Sequence, residues 1–381
     1  MTSYRGLFHR ITRLDLSLFF RISSFFFFYF VLVAIYIVFL PKMLSELNYS
    51  TSQIGFIFSL GPLMRFLLPF FFLKKINLTP NIFHFGLFLS IISAILFYFS
   101  IQNFYYFIIP NILLGVSFGL MLPFVETYAL GFLKKERFGK SRLYGSLGFM
   151  FCGIILARNL NNYTVGLNYF LVTVVILVMI GFSITSYSDK ISTIKKVIEE
   201  KFLFKKVLWF WISIFFMQMS FGFFYNFFTI YETDHGISLQ TVSYLWTFSI
   251  ICEITLFYFQ APLFKNINLL TLIKFAISLT IIRWILLYLF PNSLMVLYIS
   301  QSLHAFGFAL HHTAAISYLY LAYQDKKLAS QFYYGISFGL GGFAGSLLAG
   351  YLYGEKLFLY AALIAVLSLI FLSFQKNFKH L

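Results

Sequence analysis

Long apolar runs, broken by short polar segments, repeat along the whole chain. A helix needs about 20 consecutive apolar residues to cross the hydrocarbon core of a bilayer, and the runs match that length. Twelve spans are predicted. The first six run from Leu18 to Leu40, Thr51 to Leu73, Ile82 to Ser100, Phe104 to Phe132, Leu143 to Leu160 and Tyr163 to Ser186. The second six run from Val207 to Tyr231, Val242 to Phe264, Leu269 to Phe290, Leu294 to Leu321, Gln331 to Tyr353 and Leu357 to Phe374. The tightest joints are at Gln102 and at Pro291-Asn292.

The polar segments orient these spans. With the N-terminus in the cytoplasm, one side collects Arg5, Arg10, Arg13, Arg21, Lys74, Lys75, Lys134, Lys135, Arg137, Lys140 and Arg142. The same side takes Lys190, Lys195, Lys196, Lys201, Lys205, Lys206, Lys265, Lys274, Lys326, Lys327, Lys376 and Lys379. The other side holds only Lys42, Arg158 and Lys356. Cytoplasmic loops carry the excess of Lys and Arg, so both termini are expected inside. The first span follows a basic N-terminus, is about 23 residues long and lacks a small-residue cleavage site, so it reads as retained.

Composition agrees. Of 381 residues, 60% are hydrophobic and 10% charged, with 55 Phe and 26 Tyr. Ordinary soluble domains are about 25% charged and could not hide so much apolar surface. A secreted disulfide scaffold, a disordered chain and a typical cytosolic enzyme are excluded. The net charge of +16 would suit nucleic acid on a soluble domain, but here the basic residues sit between apolar runs. Cys152 and Cys252 lie inside such runs, as small buried hydrophobes outside any redox motif.

The longest polar stretch, Ser188 to Lys206, divides the chain into halves of six spans. Weak internal similarity supports a repeat: KKERFGKSRLYGSLGFMFCGIILA from Lys134 resembles KKLASQFYYGISFGLGGFAGSLLAG from Lys326. The expected fold is an all-α polytopic membrane protein of twelve transmembrane helices in two pseudo-symmetric six-helix bundles, residues 1–187 and 207–381, joined by a cytoplasmic loop at 188–206.

Four charges remain inside the spans: Arg65, Glu126, Glu253 and Arg283. Each is costly against lipid, so each should face a partner or water. At about 1.5 Å per residue, Arg65 and Glu126 lie about 12 and 9 Å above the cytoplasmic ends of their spans. Glu253 and Arg283 lie about 16 and 21 Å up theirs. One acid and one arginine are thus expected to meet in each half. His304 and His311 are seven residues apart, on one face of span ten, with His311 near the depth of Glu253. Histidine titrates nearest physiological pH, so Glu253, Arg283 and His311 form a candidate proton relay; interhelical bonds that fix packing are the alternative. Glu253 is the first choice for proton carrier and Glu126 the next. No HExxH or Cys/His cluster occurs, and His311 and His312 are adjacent, so no metal site is expected.

Gly115, Gly119, Pro123 and Glu126 share one face of span four, and span eleven carries Gly339, Gly342 and Gly345. Together with Gly145 in span five they are candidates for close helix packing and for hinges. Tyr29, Tyr225 and Asn226 place polar atoms inside spans one and seven. With Arg65, Glu126 and His304 they are candidates for lining a substrate cavity, helix–helix bonding being the alternative.

These residues occur in recognisable stretches. FYFVLVAIYIVFLPKML, SQIGFIFSLGPLMRF with Arg65, PFVETYAL with Glu126 and GKSRLYGSLGF come first. ICEITLFYF with Glu253, IIRWILL with Arg283, HAFGFALHHTAAISYL with His304 and His311, and FGLGGFAGSLLAG follow. The chain resembles the phenylpropionate-permease branch of the major facilitator superfamily, relatives of nucleoside:proton symporters and of lactose permease. The loop LKKINLTPN departs from the superfamily's Asp-Arg-Gly-Arg pattern between spans two and three. The resemblance implies a monomeric secondary transporter in the inner (cytoplasmic) membrane, without a cofactor, importing a small organic solute with protons. An aromatic acid, a nucleoside or a sugar would suit it. An uncoupled facilitator or an exporter on the same scaffold is the alternative. A membrane-embedded transferase is the remote one, since no nucleophile motif or phosphate-binding loop is present.

Overall fold

A computed structural model describes residues 2–73, 79–133, 135–185, 203–264 and 267–376. The central loop expected at 188–206 lies outside the described residues as far as 202, as do the loop lysines 74, 75, 134, 265 and 379. Among the described residues the chain is helical and contains no strand.

The helices are α1 (Thr2–Ala34), α2 (Leu40–Glu46), α3 (Thr51–Leu73), α4 (Pro80–Ser100), α5 (Phe104–Phe132), α6 (Lys135–Asn159) and α7 (Tyr163–Thr185). Then come α8 (Leu208–Asp234), α9 (Leu239–Phe264), α10 (Leu269–Leu289), α11 (Leu294–Ala305), α12 (His311–Ala322), α13 (Lys326–Tyr334), α14 (Gly342–Tyr351) and α15 (Leu357–Ser373). Wide π-helical turns join three of the pairs: Ile35–Phe39 links α1 to α2, Phe306–Leu310 links α11 to α12, and Gly335–Gly341 links α13 to α14. Counted with these joints, the helices reproduce the twelve expected spans. Among the described residues, ten of them are long and apolar enough to cross a membrane.

One boundary differs in a way that matters. α6 starts at Lys135, eight residues before the expected start at Leu143, so Arg142 is a helix residue rather than a loop residue. The basic opening KERFGKSR carries weak apolar signal but no helix breaker other than one glycine.

The helices fall into two packing units. Met1–Tyr36 and Ile76–Thr193 form one; Ile37–Lys75 and Ile194–Leu381 form the other. The units therefore do not follow the midpoint of the chain: α2 and α3 pack with the second-half helices. Glycine explains that company. A Cβ on Gly350 of α14 would lie 2.6 Å from the Thr51 carbonyl oxygen and 2.9 Å from the Gly55 Cα of α3. Backbones this close admit only hydrogen at the contact.

Within the first unit, α6 lies along α1. A Cβ on Gly148 would stand 2.1 Å from the Phe27 carbonyl oxygen. α4 and α5 are tied by Ser117, which donates to the Gly86 carbonyl at 2.8 Å, and by Ser93, which donates to the Pro110 carbonyl at 2.8 Å. Buried hydroxyls that bond to backbone in this way leave no polar group unmet in lipid. In the second unit, α14 is held between α3 and α8. Gly345 meets the Met219 backbone of α8, while Gly339 meets the Phe66 backbone and Gly342 meets Pro62 of α3.

Candidate functional site

The second unit places Arg283 of α10 wholly inside, at 0% exposure. Aromatic faces surround its guanidinium: the Phe224 ring centre lies 4.0 Å away and the Trp284 ring centre 4.5 Å. Arg is suited to such a place because its planar cation stacks on rings and is weakly hydrated. Its Nη2 donates to Gln301 Oε1 at 3.0 Å, and its Nη1 contacts His304 Nδ1 at 3.1 Å, both on α11. His304 in turn directs Nε2 at Glu253 Oε2 of α9, 3.9 Å away. A chain Gln301–Arg283–His304–Glu253 thus crosses three helices.

Its proton arrangement follows from donor arithmetic. A guanidinium only donates, so His304 Nδ1 must accept. A ring accepting at Nδ1 carries its hydrogen on Nε2, the nitrogen that faces Glu253. Arg283 thereby fixes which tautomer His304 presents. Tyr225 of α8 stands within electrostatic reach of Glu253, Arg283 and Arg65, and its ring stacks on Trp246 with centroids 6.2 Å apart. Arg65 itself is exposed on α3.

The contacts differ from the expected ones. Among the described residues His304, rather than His311, stands between Arg283 and Glu253. His311 is buried at 4% exposure, and among the described residues its Nε2 has no hydrogen-bond partner. The cause is the π turn Phe306–Leu310 between the two histidines. A π turn inserts about one extra residue, which rotates everything after it by about 100° and removes His311 from the face of His304.

In the first unit, Glu126 of α5 accepts from Arg142 Nε at 3.2 Å. The pairing expected from depth was with Arg65, but Arg65 belongs to the other unit, and Arg142 was assigned to a loop. Arg142 also lies over the Phe30 ring at 4.4 Å. Gly145, one turn further along α6, leaves room for both, since a Cβ there would fall 2.7 Å from the Phe30 ring. Both side chains remain about a third exposed, at 36% for Arg142 and 33% for Glu126. Replacing either one alone with Ala is expected to cost more than half of what the double change costs, with a coupling of about 1 kcal/mol in a double-mutant cycle. Strict additivity of thermal stability would show that the pair does not act as a unit.

The other expected residues take plainer places. Asn226 donates to Ser346 Oγ at 2.6 Å, so it ties α8 to α14 rather than lining open space. Tyr29 is 3% exposed, with Phe118 5.2 Å away between ring centroids. Gly115 is buried, Gly119 half-buried and Pro123 exposed on α5, which stays helical through Pro123. Sequence reasoning missed Gln301, Arg142 and Glu232. Gln301 was legible in principle, because it lies three residues before His304 on the same helix face.

Comparison with known proteins agrees with this architecture. Residues 19–363 match the MFS_1 like family. Over 155 residues, 39% of this chain and 40% of the relative, the sequence is 26% identical to a protein of Escherichia coli (strain K12) described as a probable 3-phenylpropionic acid transporter. The match thus spans well under half of that relative's length. The nucleoside transporter NupG superposes with a TM-score of 0.77 at 14% identity, covering 93% of this chain and 98% of its own. The POT family transporter PepTSo superposes with a TM-score of 0.74 at 9% identity, covering 94% of this chain and 97% of its own. At such identities the two likenesses concern the fold. The chain belongs to the MFS_1 like family, as a multi-pass membrane protein with the twelve-helix major facilitator fold.

Proposed function

We propose that the protein is a proton-coupled importer of a small organic solute, working by alternating access in the cytoplasmic membrane with both termini inside. The observation that carries this reading is the buried chain Arg283–His304–Glu253. A structural role alone does not require an acid, a base and a cation in series across three helices, and ionisable groups in a span mark ion paths by default. Glu253 is the proton carrier in this reading. His304 presents Nε2–H to it while Arg283 holds Nδ1; when the helices rearrange and Arg283 releases Nδ1, the ring gains a second site for a proton.

The solute side of the reading rests on the exposed Arg65 of the second unit, with Tyr225 in its electrostatic reach. An arginine with spare donors suits a carboxylate, and surrounding rings suit an apolar body. An aromatic acid fits that description, as does the name of the Escherichia coli relative; nucleosides and sugars are the competing classes.

Glu253→Gln tests the coupling. Gln keeps the shape and cannot cycle a proton, so accumulation against a gradient should be lost while solute exchange at equal pH persists. Normal accumulation by this variant would remove Glu253 from the role and make Glu126 the next candidate. Loss of both exchange and accumulation would point instead to a binding role for Glu253.

A further inference from the structure

At the end of α8 furthest from Lys206, Glu232 is wholly buried, at 0% exposure. Among the described residues, neither carboxyl oxygen has a hydrogen-bond partner. An ionised carboxylate in that position would lose its hydration with nothing in return, a cost of several kcal/mol that proteins avoid by neutralising the group. The facing helix repeats the anomaly. Trp246 of α9 donates to Thr229 of α8 at 3.3 Å, which sets the antiparallel register. Three residues outward on α8 and three back on α9 bring Glu232 level with Ser243. Ser243 is likewise 0% exposed, and its hydroxyl oxygen is likewise without a partner among the described residues.

We propose that Glu232 is a proton-binding site, filled in this conformation, whose carboxylic acid is sequestered beside Ser243 in the α8–α9 hairpin. A proton is the ligand because a single carboxyl group and one hydroxyl supply too few oxygens for a metal cation. The site lies apart from Glu253 and uses no residue of the Arg283 chain.

The ionisable groups around the end of α8 are committed elsewhere. On α8 itself, Tyr231 donates to the Glu355 carbonyl at 3.2 Å, and Asp234 accepts from Tyr353 at 2.6 Å. His235, just beyond, bonds through Nδ1 to the Tyr231 carbonyl oxygen at 2.7 Å. On α9, Tyr244 accepts from Gln240 at 2.7 Å. Tyr288 of α10 and the Glu355 carboxylate act on Tyr231, and Tyr353 on Glu232, through space. Tyr353 spends its hydrogen on the Asp234 carboxylate, so it does not compete. Lys356 and Tyr360 lie at the start of α15, and Lys42 and Glu46 on α2, both elements that pack on α8. None of these donates to the Glu232 carboxyl.

Separation of α8 from α9 would expose the acid and release its proton, giving the transporter a second proton site besides the proposed Glu253. Infrared difference spectroscopy of the purified full-length protein tests this without any solute, so it can fail or hold whether or not transport proves to be proton-driven. The wild-type protein at neutral pH should show the carbonyl stretch of a protonated carboxylic acid, and Glu232→Gln should remove one such band while folding normally. A spectrum unchanged by Glu232→Gln would overturn the proposal. The same state is read by labelling glutamate carboxyls with carbon-13: a resonance of protonated glutamic acid at neutral pH that Glu232→Gln removes supports the site, and ionised resonances alone overturn it.

Discussion

Arg283→Leu is expected to bring transport to background and to destabilise the second unit by about 3–5 kcal/mol, the scale for removing one partner of a buried charged group. The loss has three sources in the structure. Gln301 Oε1 and His304 Nδ1 lose their donor, and each buried unpartnered polar atom costs about 1–3 kcal/mol. The stacking of the cation on Phe224 and Trp284 disappears with it. Arg283→Lys separates stability from mechanism. One ammonium cannot present the rigid fork that reaches both Gln301 and His304, so this variant should reach the membrane yet transport more than tenfold more slowly. Uptake normalised to the amount of protein in the membrane measures both effects. Wild-type transport by Arg283→Lys would show that setting the His304 tautomer is unnecessary.

The second large effect concerns packing. A Cβ on Gly345 would stand 2.2 Å from the Met219 carbonyl oxygen and 2.9 Å from its carbonyl carbon. Both obstacles are backbone in the middle of α8, so neither can swing aside. Gly345→Ala is therefore expected to push α14 from α8 and to break the neighbouring Asn226–Ser346 bond. Overpacking usually costs about 1–3 kcal/mol, and a backbone collision belongs at or above the upper end. Gly61→Ala on α3 supplies the contrast, since among the described residues nothing lies within 4 Å of the added methyl. There the helix propensity of Ala should leave stability unchanged or raise it by up to about 1 kcal/mol. Thermal unfolding in one detergent compares the two. Equal stability of the two variants would contradict the close approach of α8 and α14.

Most of the helical plan was legible because lipid imposes it: every spanning backbone must satisfy its own hydrogen bonds, so apolar length alone reports a helix. The ionisable residues in spans were legible for the same reason, and Glu253, Arg283 and His304 do meet. Their order was not. Depth arithmetic assumes straight helices of one pitch, and the π turn at Phe306–Leu310 breaks that assumption between His304 and His311. Arg142 was hidden because apolar content, not helicity, marked the start of span five. Glu232 escaped notice because it lies at the edge of its apolar run, where a carboxylate ordinarily reads as solvated; only burial distinguishes it. The company kept by α3 depends on glycine contacts between residues nearly 300 positions apart, such as Ser52 with Gly350. No local pattern reports a contact of that range.

The account turns on coupling of solute movement to protons. The direct measurement uses the purified protein in sealed proteoliposomes, with a pH gradient imposed acid outside and radiolabelled 3-phenylpropionate, a nucleoside or a disaccharide supplied in turn. One of these should accumulate above its outside concentration, and a protonophore should abolish the accumulation. Vesicles carrying Glu253→Gln should equilibrate the same solute without concentrating it. Equilibration of a solute by the wild-type protein at a rate and final level indifferent to the imposed gradient would contradict the account and leave an uncoupled facilitator.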